Sequence, residues 1–175
     1  MNRRGFLKLA GYSAGASLLA GVGWLTFAPK RVLIPLTAIR VKLEDLERYN
    51  FSALGEWTLD EVLIHCAQSI ECSMTGYPKH KSDIFKSTIG SVAFESFSKL
   101  GSMTHNLNEG IPGLPWPPEN LGGKGAVARL QKAINLFLAY EGQLHAHFAY
   151  GELDKNSYEV AHVLHILDHL PELGA

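Results

Sequence analysis

The residues best suited to chemistry lie near the carboxyl end, in the run Ala161-His162-Val163-Leu164-His165-Ile166-Leu167-Asp168-His169-Leu170. At about 3.6 residues per helical turn, His162, His165 and His169 fall within one narrow arc. His165 and His169 stand one turn apart, the spacing that lets two imidazoles reach a single metal ion. His162 and His169 are separated by about 10 Å along a helix axis, whereas imidazole nitrogens bound to zinc sit only about 2.0–2.1 Å from it. At most one adjacent pair therefore shares an ion, either His162/His165 or His165/His169. The third histidine is then a partner behind the ligands or a packed interior residue. A lone histidine on an apolar helix is ordinarily just a hydrogen-bonded core residue; three in line form a different pattern.

The elements that must position these groups are helical. Thr58-Leu59-Asp60-Glu61 has the form of a capping box, and Trp57 precedes it where it can staple the first turn. From there Leu59, Val62, Cys66, Ile70 and Met74 make an apolar face that Gly76-Tyr77-Pro78 ends. His65 lies at the edge of that face and points toward the core. A second helix is expected from Ser82 or Asp83 to Leu100, with Phe85, Ile89, Val92, Phe97 and Leu100 buried, Gly90 weakening its middle and Gly101 stopping it. Residues 101–123 are too rich in proline and glycine for a helix or central strand and read as an ordered cover. A third helix is expected over 124–144, with Val127, Leu130, Ile134, Phe137 and Leu138 inward and His145 and His147 at its end. A fourth runs from Lys155 to Leu170, capped by Asp154 and stopped by Pro171. Before them, 31–41 reads as an extended connector because of Pro35, and 43–49 as a short helix. The fold class is thus all-α: a four-helix bundle with a long Pro/Gly-rich crossover between helices two and three. His80 and His105 fall in or near loops and receive no role.

Composition narrows the function. With 16 basic and 17 acidic residues the chain shows no cationic face, and no basic run beyond its first eight residues, so nucleic-acid binding is disfavoured. Cys66 and Cys72 share one helical pattern about 9 Å apart along its axis, too far for a bridge, and read as buried thiols. At the amino end, Arg3-Arg4-Gly5-Phe6-Leu7-Lys8 precedes an uncharged stretch from Leu9 to Pro29. This RRGFLK segment resembles a twin-arginine export signal, departing from the usual pattern at Asn2. Residues 1–30 are accordingly read as a signal peptide or retained membrane anchor and 31–175 as the folded domain. Such a chain would leave the cytoplasm folded, through the twin-arginine translocation machinery, for the periplasm or the outer face of the cytoplasmic membrane.

Taken together, WTLDEVLIHCAQSIECS, IPG, HFAYG and AHVLHILDHL resemble an uncharacterised domain-of-unknown-function family within the DinB superfamily, over about residues 40–170. The resemblance implies a DinB-like four-helix bundle in which one histidine of an early helix and an H-x3-H pair of the last bind a divalent metal. Carried over by position, these are His65, His165 and His169. Members of the wider superfamily are similar to thiol-dependent transferases and a maleylpyruvate isomerase, whose cytoplasmic thiols the export signal here does not suit.

Physical reasoning supports the same chemistry. Three neutral imidazoles leave a divalent ion its full charge and an open position, the arrangement that acidifies water. His162, Asp168 or a main-chain carbonyl can orient a ligand imidazole from behind, with His147 a further candidate. The ion, whether zinc, nickel, iron or manganese, would serve a hydrolase or transferase acting on a small molecule. The competing expectations are a non-catalytic metal-binding or interaction domain on the periplasmic side of the membrane, and a bis-histidine haem; a homodimer is a further expectation about partners, whichever function holds.

Overall fold

The structure is a computed structural model that describes residues 33–46, 53–116 and 118–174. Residues 1–30, read above as an export signal or anchor, lie outside the described residues, as do 47–49 of the expected short helix. Among the described residues the fold is all-helical, with no strand and one isolated antiparallel bridge between His147 and Gly151. No described helix is long and apolar enough to cross a membrane.

Helix α1 spans Leu36–Lys42 and continues as a 3-10 turn, Leu43–Asp45. This corrects the extended reading for residues 36–41. Pro35 stands at the N-cap with φ −69°, where its missing N–H would have been unsatisfied anyway, so it starts a helix and does not break one. Leu36, Ile39, Leu43 and Leu46 are buried at helical spacing, and the Leu36 N–H donates to Glu159 Oε1 at 3.1 Å, tying this segment to the last helix.

Helix α2, Leu59–Thr75, begins with the expected capping box. The Glu61 N–H donates to Thr58 Oγ1 at 3.3 Å, while Glu61 Oε2 accepts from the Thr58 N–H at 2.8 Å. Most of its length is buried, including His65 and both cysteines, whose thiols are free. Gly76 ends it at φ 99°, beyond easy reach of a side-chain-bearing residue.

The next helical segment is composite: α3, Asp83–Phe85, a π-helical turn, Lys86–Gly90, and α4, Ser91–Leu100, stopped as expected by Gly101 in the left-handed region. The expected buried stripe is not observed there, because Ile89 and Val92 are 63% and 61% exposed. A π turn inserts one residue and rotates everything after it by about 100° relative to an α-helical wheel, so a stripe read at constant spacing fails across it. Residues 101–121 contain no helix or strand among those described.

Helix α5 spans Gly122–Ala139 and packs along α2, burying Leu130, Ile134 and Phe137. It ends well before the expected Leu144, so His145 and His147 stand beyond it, not at its carboxyl terminus. The chain leaves the helix at Tyr140, and the Lys155 ammonium donates to the Leu138 and Tyr140 carbonyls at 2.9 and 2.7 Å, satisfying acceptors that the helix leaves open. Helix α6, Lys155–His169, matches expectation; the Ser157 N–H donates to Asp154 Oδ1 at 2.7 Å, and a 3-10 turn, Pro171–Gly174, follows.

Candidate metal centre

α2 carries His65 inward on its second turn, and α6 presents His165 and His169 one turn apart. Folding brings the three together. The Nε2 atoms of His65 and His165 are 3.0 Å apart, and the ring centroids of His65 and His169 lie 5.2 Å apart. His105, from the loop after α4, joins them with ring centroids 5.0 Å from His165 and 4.9 Å from His169. One nitrogen from each of these four side chains lies within 4.8 Å of every other. Ligands on one ion at about 2.0–2.1 Å are at most about 4.2 Å apart, so closure on an ion asks for shifts below about an ångström.

The electrostatics suit ligation. Burial, with the neighbouring His169 and His105 adding to it, lowers the His65 pKa to about 3. Burial and His105 lower that of His169 to about 4, and His165 is likewise held well below the usual histidine range by burial and its histidine neighbours. These imidazoles stay neutral and keep a lone pair to donate. His169 is fully buried, yet neither ring nitrogen has a hydrogen-bond partner; His65 Nδ1 and His105 Nε2 are buried and unpartnered too. Buried polar atoms are nearly always paired, so a fully buried His169 with no partner on either ring nitrogen, and a His105 Nε2 left unpartnered, fit a cation that takes one nitrogen from each ring. Neither Cys66 nor Cys72 belongs to this group, and burial raises the pKa of both thiols.

Two boundaries enclose the cluster. Trp57 stacks on His169 with centroids 5.8 Å apart and meets His65 edge-on, and Trp116 stacks on Trp57 at 3.7 Å. Trp57 thus covers the imidazoles, beyond its expected part in the first turn of α2. On another side is a cavity of about 200 Å³ into which His65, His105 and His165 face, walled by Met103, Ile111, Pro112, Phe148 and Tyr150, with exposed Lys81 and Glu109 also contributing.

The residues expected behind the ligands have the following partners. Asp168 Oδ2 accepts from His105 Nδ1 at 2.6 Å. His162 lies 3.3 Å from Ser73 Oγ, whose own hydroxyl donates to the Ile70 carbonyl, so His162 Nε2 is the donor. His147 Nδ1 accepts from the Ala149 and Tyr150 N–H groups, both at 3.2 Å, holding the HFAYG turn. None of these bonds reaches His65, His165 or His169. His105 is the residue that sequence reading missed: it sits alone in a loop, and its partner Asp168 is remote in sequence, so no local spacing marks it.

Burial lowers the pKa of both His162 and His147 to about 3. Between that value and the unfolded 6.5, the native state binds fewer protons than the unfolded chain, so stability is full above about pH 6.5 and falls as pH drops toward 3. Each such histidine contributes a slope of about 1.4 kcal/mol per pH unit. A His162→Gln variant, which keeps an N–H for Ser73, is expected to show a shallower loss across this range in denaturant melts; an unchanged slope would contradict the assignment.

The fold and site define an all-helical protein with a cluster of histidines that can hold a metal ion. The chain belongs to the family described as "Protein of unknown function (DUF1569)", whose model matches residues 33–174. No curated protein and no solved structure matches it.

Proposed function

We propose that this chain is a metal-dependent enzyme, a hydrolase or transferase acting on a small molecule, built on a DinB-like four-helix bundle and exported from the cytoplasm. The observation that carries the reading is the cavity: His65, His105 and His165 line it, and one nitrogen from each of these and from His169 lies within 4.8 Å of the others. His65, His165 and His169 hold the ion in this reading, and a zinc, nickel, iron or manganese ion there would supply Lewis acidity. The chain's own residues do the rest. Met103, Ile111, Pro112 and Phe148 receive an apolar body and limit water. Tyr150, raised by burial to about 12, keeps its proton and can donate a hydrogen bond. Lys81 and Glu109 are placed to meet polar ends of a ligand.

The DinB-like reading is supported by the order of long helical segments, α2, the composite α3–α4, α5 and α6, and by His65 on the first with His165 and His169 on the last. Export rests on Arg3-Arg4 and the uncharged run behind them; an Arg3→Lys, Arg4→Lys variant is expected to stay in the cytoplasm, and normal export of it would refute the idea. The enzymatic reading is tested by a panel of small esters, amides and thiol acceptors. Turnover that a chelator stops and added metal restores is expected, whereas metal-bound protein inert to the whole panel favours the second reading, a non-catalytic metal-binding domain. The fourth histidine is the observation that favours this alternative, because it can close a coordination shell.

A further inference from the structure

We propose that His105 is a fourth protein ligand of this centre, oriented by Asp168, so that three helix-borne imidazoles are completed by one from the loop that walls the cavity. The inference rests on the metal reading above and extends it to a residue outside the helices.

Hydrogen bonding fixes both the position and the tautomer of His105. Its Nδ1 lies 2.6 Å from Asp168 Oδ2, and its backbone N–H donates to the same oxygen at 3.2 Å. A carboxylate only accepts, so the imidazole proton is on Nδ1 and the lone pair on Nε2. That Nε2 is buried and unpartnered, and His105 belongs to the group whose ligand atoms lie within 4.8 Å of one another. A carboxylate behind one ring nitrogen with the other ring nitrogen free is the arrangement by which proteins orient a histidine ligand and raise its basicity. Asp168 stands on α6 between His165 and His169, so the helix that supplies two ligands also aims the one from the loop. The loop itself is anchored: Asn108 Oδ1 accepts from the Glu56 N–H at 3.1 Å, beside Trp57, which stacks on His169.

A consequence follows for the choice of metal. Four imidazoles complete the tetrahedral shell that zinc favours and leave no position for a further donor. An ion accepting five or six donors keeps a position available, and three of the four histidines face the cavity where a ligand would arrive. The catalytic reading therefore calls for an ion of higher coordination number than zinc's four.

The test uses purified full-length chain, stripped by chelator and reloaded with cobalt(II) or nickel(II) alone, with imidazoles counted by X-ray absorption and affinity measured by competition. Four imidazoles are expected in the wild type. His105→Ala should keep one metal per chain with three imidazoles and an affinity at least about tenfold lower, and added free imidazole should restore the fourth donor. Asp168→Asn, which leaves every ligand in place, should keep four imidazoles and weaken binding about 10–100-fold; it also serves if His105→Ala fails to fold. Three imidazoles in the wild type, or a His105→Ala protein with unchanged spectrum and affinity, would overturn the inference and leave the triad intact. No metal uptake by the wild type would overturn the metal reading itself, and this inference with it.

Discussion

A His165→Ala variant is expected to lose stoichiometric binding of a divalent ion while keeping its helical content. His165 is the hub of the cluster, with its Nε2 3.0 Å from that of His65 and its ring within 5.2 Å of those of His105 and His169. Losing it removes a donor and also opens the space that holds the others in register. The effect should exceed the roughly 10–100-fold typical of losing a partner behind a ligand. His162→Gln is the matching control: His162 lies one turn away on the same helix, but it packs edge-on against Phe137 at 4.9 Å and bonds Ser73. That variant should retain full stoichiometry. The difference should also appear in stability, since an ion bound only by the native state adds about 2.7 kcal/mol at a hundredfold excess over Kd. Melting temperatures with and without chelator should therefore differ for the wild type and coincide for His165→Ala. Equal metal content in the two proteins would remove His165 from the site.

The second large effect is expected at Gly90. In an ordinary helix interior Gly→Ala stabilises by about 1 kcal/mol, but a Cβ at Gly90 would lie 1.9 Å from the Ala149 carbonyl oxygen. Backbone cannot swing aside as a side chain can. The turn that would have to move is the one whose Ala149 and Tyr150 N–H groups bond His147, and whose Phe148 carbonyl accepts from the Lys81 N–H at 2.9 Å. Gly90→Ala is expected to destabilise by about 1–3 kcal/mol, lowering Tm by about 2–4 °C per kcal/mol for a chain of this size, and to deform the cavity wall. Gly123→Ala is the contrast, because a Cβ there meets Asp60 Oδ1 at an ordinary 3.5 Å; it should be neutral or stabilising. A Gly90→Ala protein as stable as the wild type would mean that the close approach is not maintained in solution.

How far the sequence alone reaches can be seen from particular residues. The Thr58/Glu61 capping box and the Asp154 cap are local devices, and both helices start where those residues say. The line of His162, His165 and His169 is local as well, but spacing alone left open which neighbour joins His165. In the fold, His169 lies with His65 and His165, while His162 turns to Ser73. What failed to read had non-local causes. Pro35 suggests an extended segment until the packing of Leu36 and Ile39 against the core is known. The π turn at Lys86–Gly90, whose last residue lies against the Ala149 carbonyl, misleads a constant-period reading of Ile89 and Val92. His105 has no helical neighbour to flag it; its significance lies in a hydrogen bond to Asp168, far along the chain.

The most direct test of the central claim is elemental analysis of the folded, purified chain, before and after dialysis against a chelator and re-addition of one divalent metal at a time. One equivalent of metal per chain, removed by chelation with a fall in Tm and restored with its recovery, is the result predicted for the histidine cluster. A folded protein that carries no metal, takes none up and melts at the same temperature throughout would contradict it, leaving the four histidines as interior residues of a helical core.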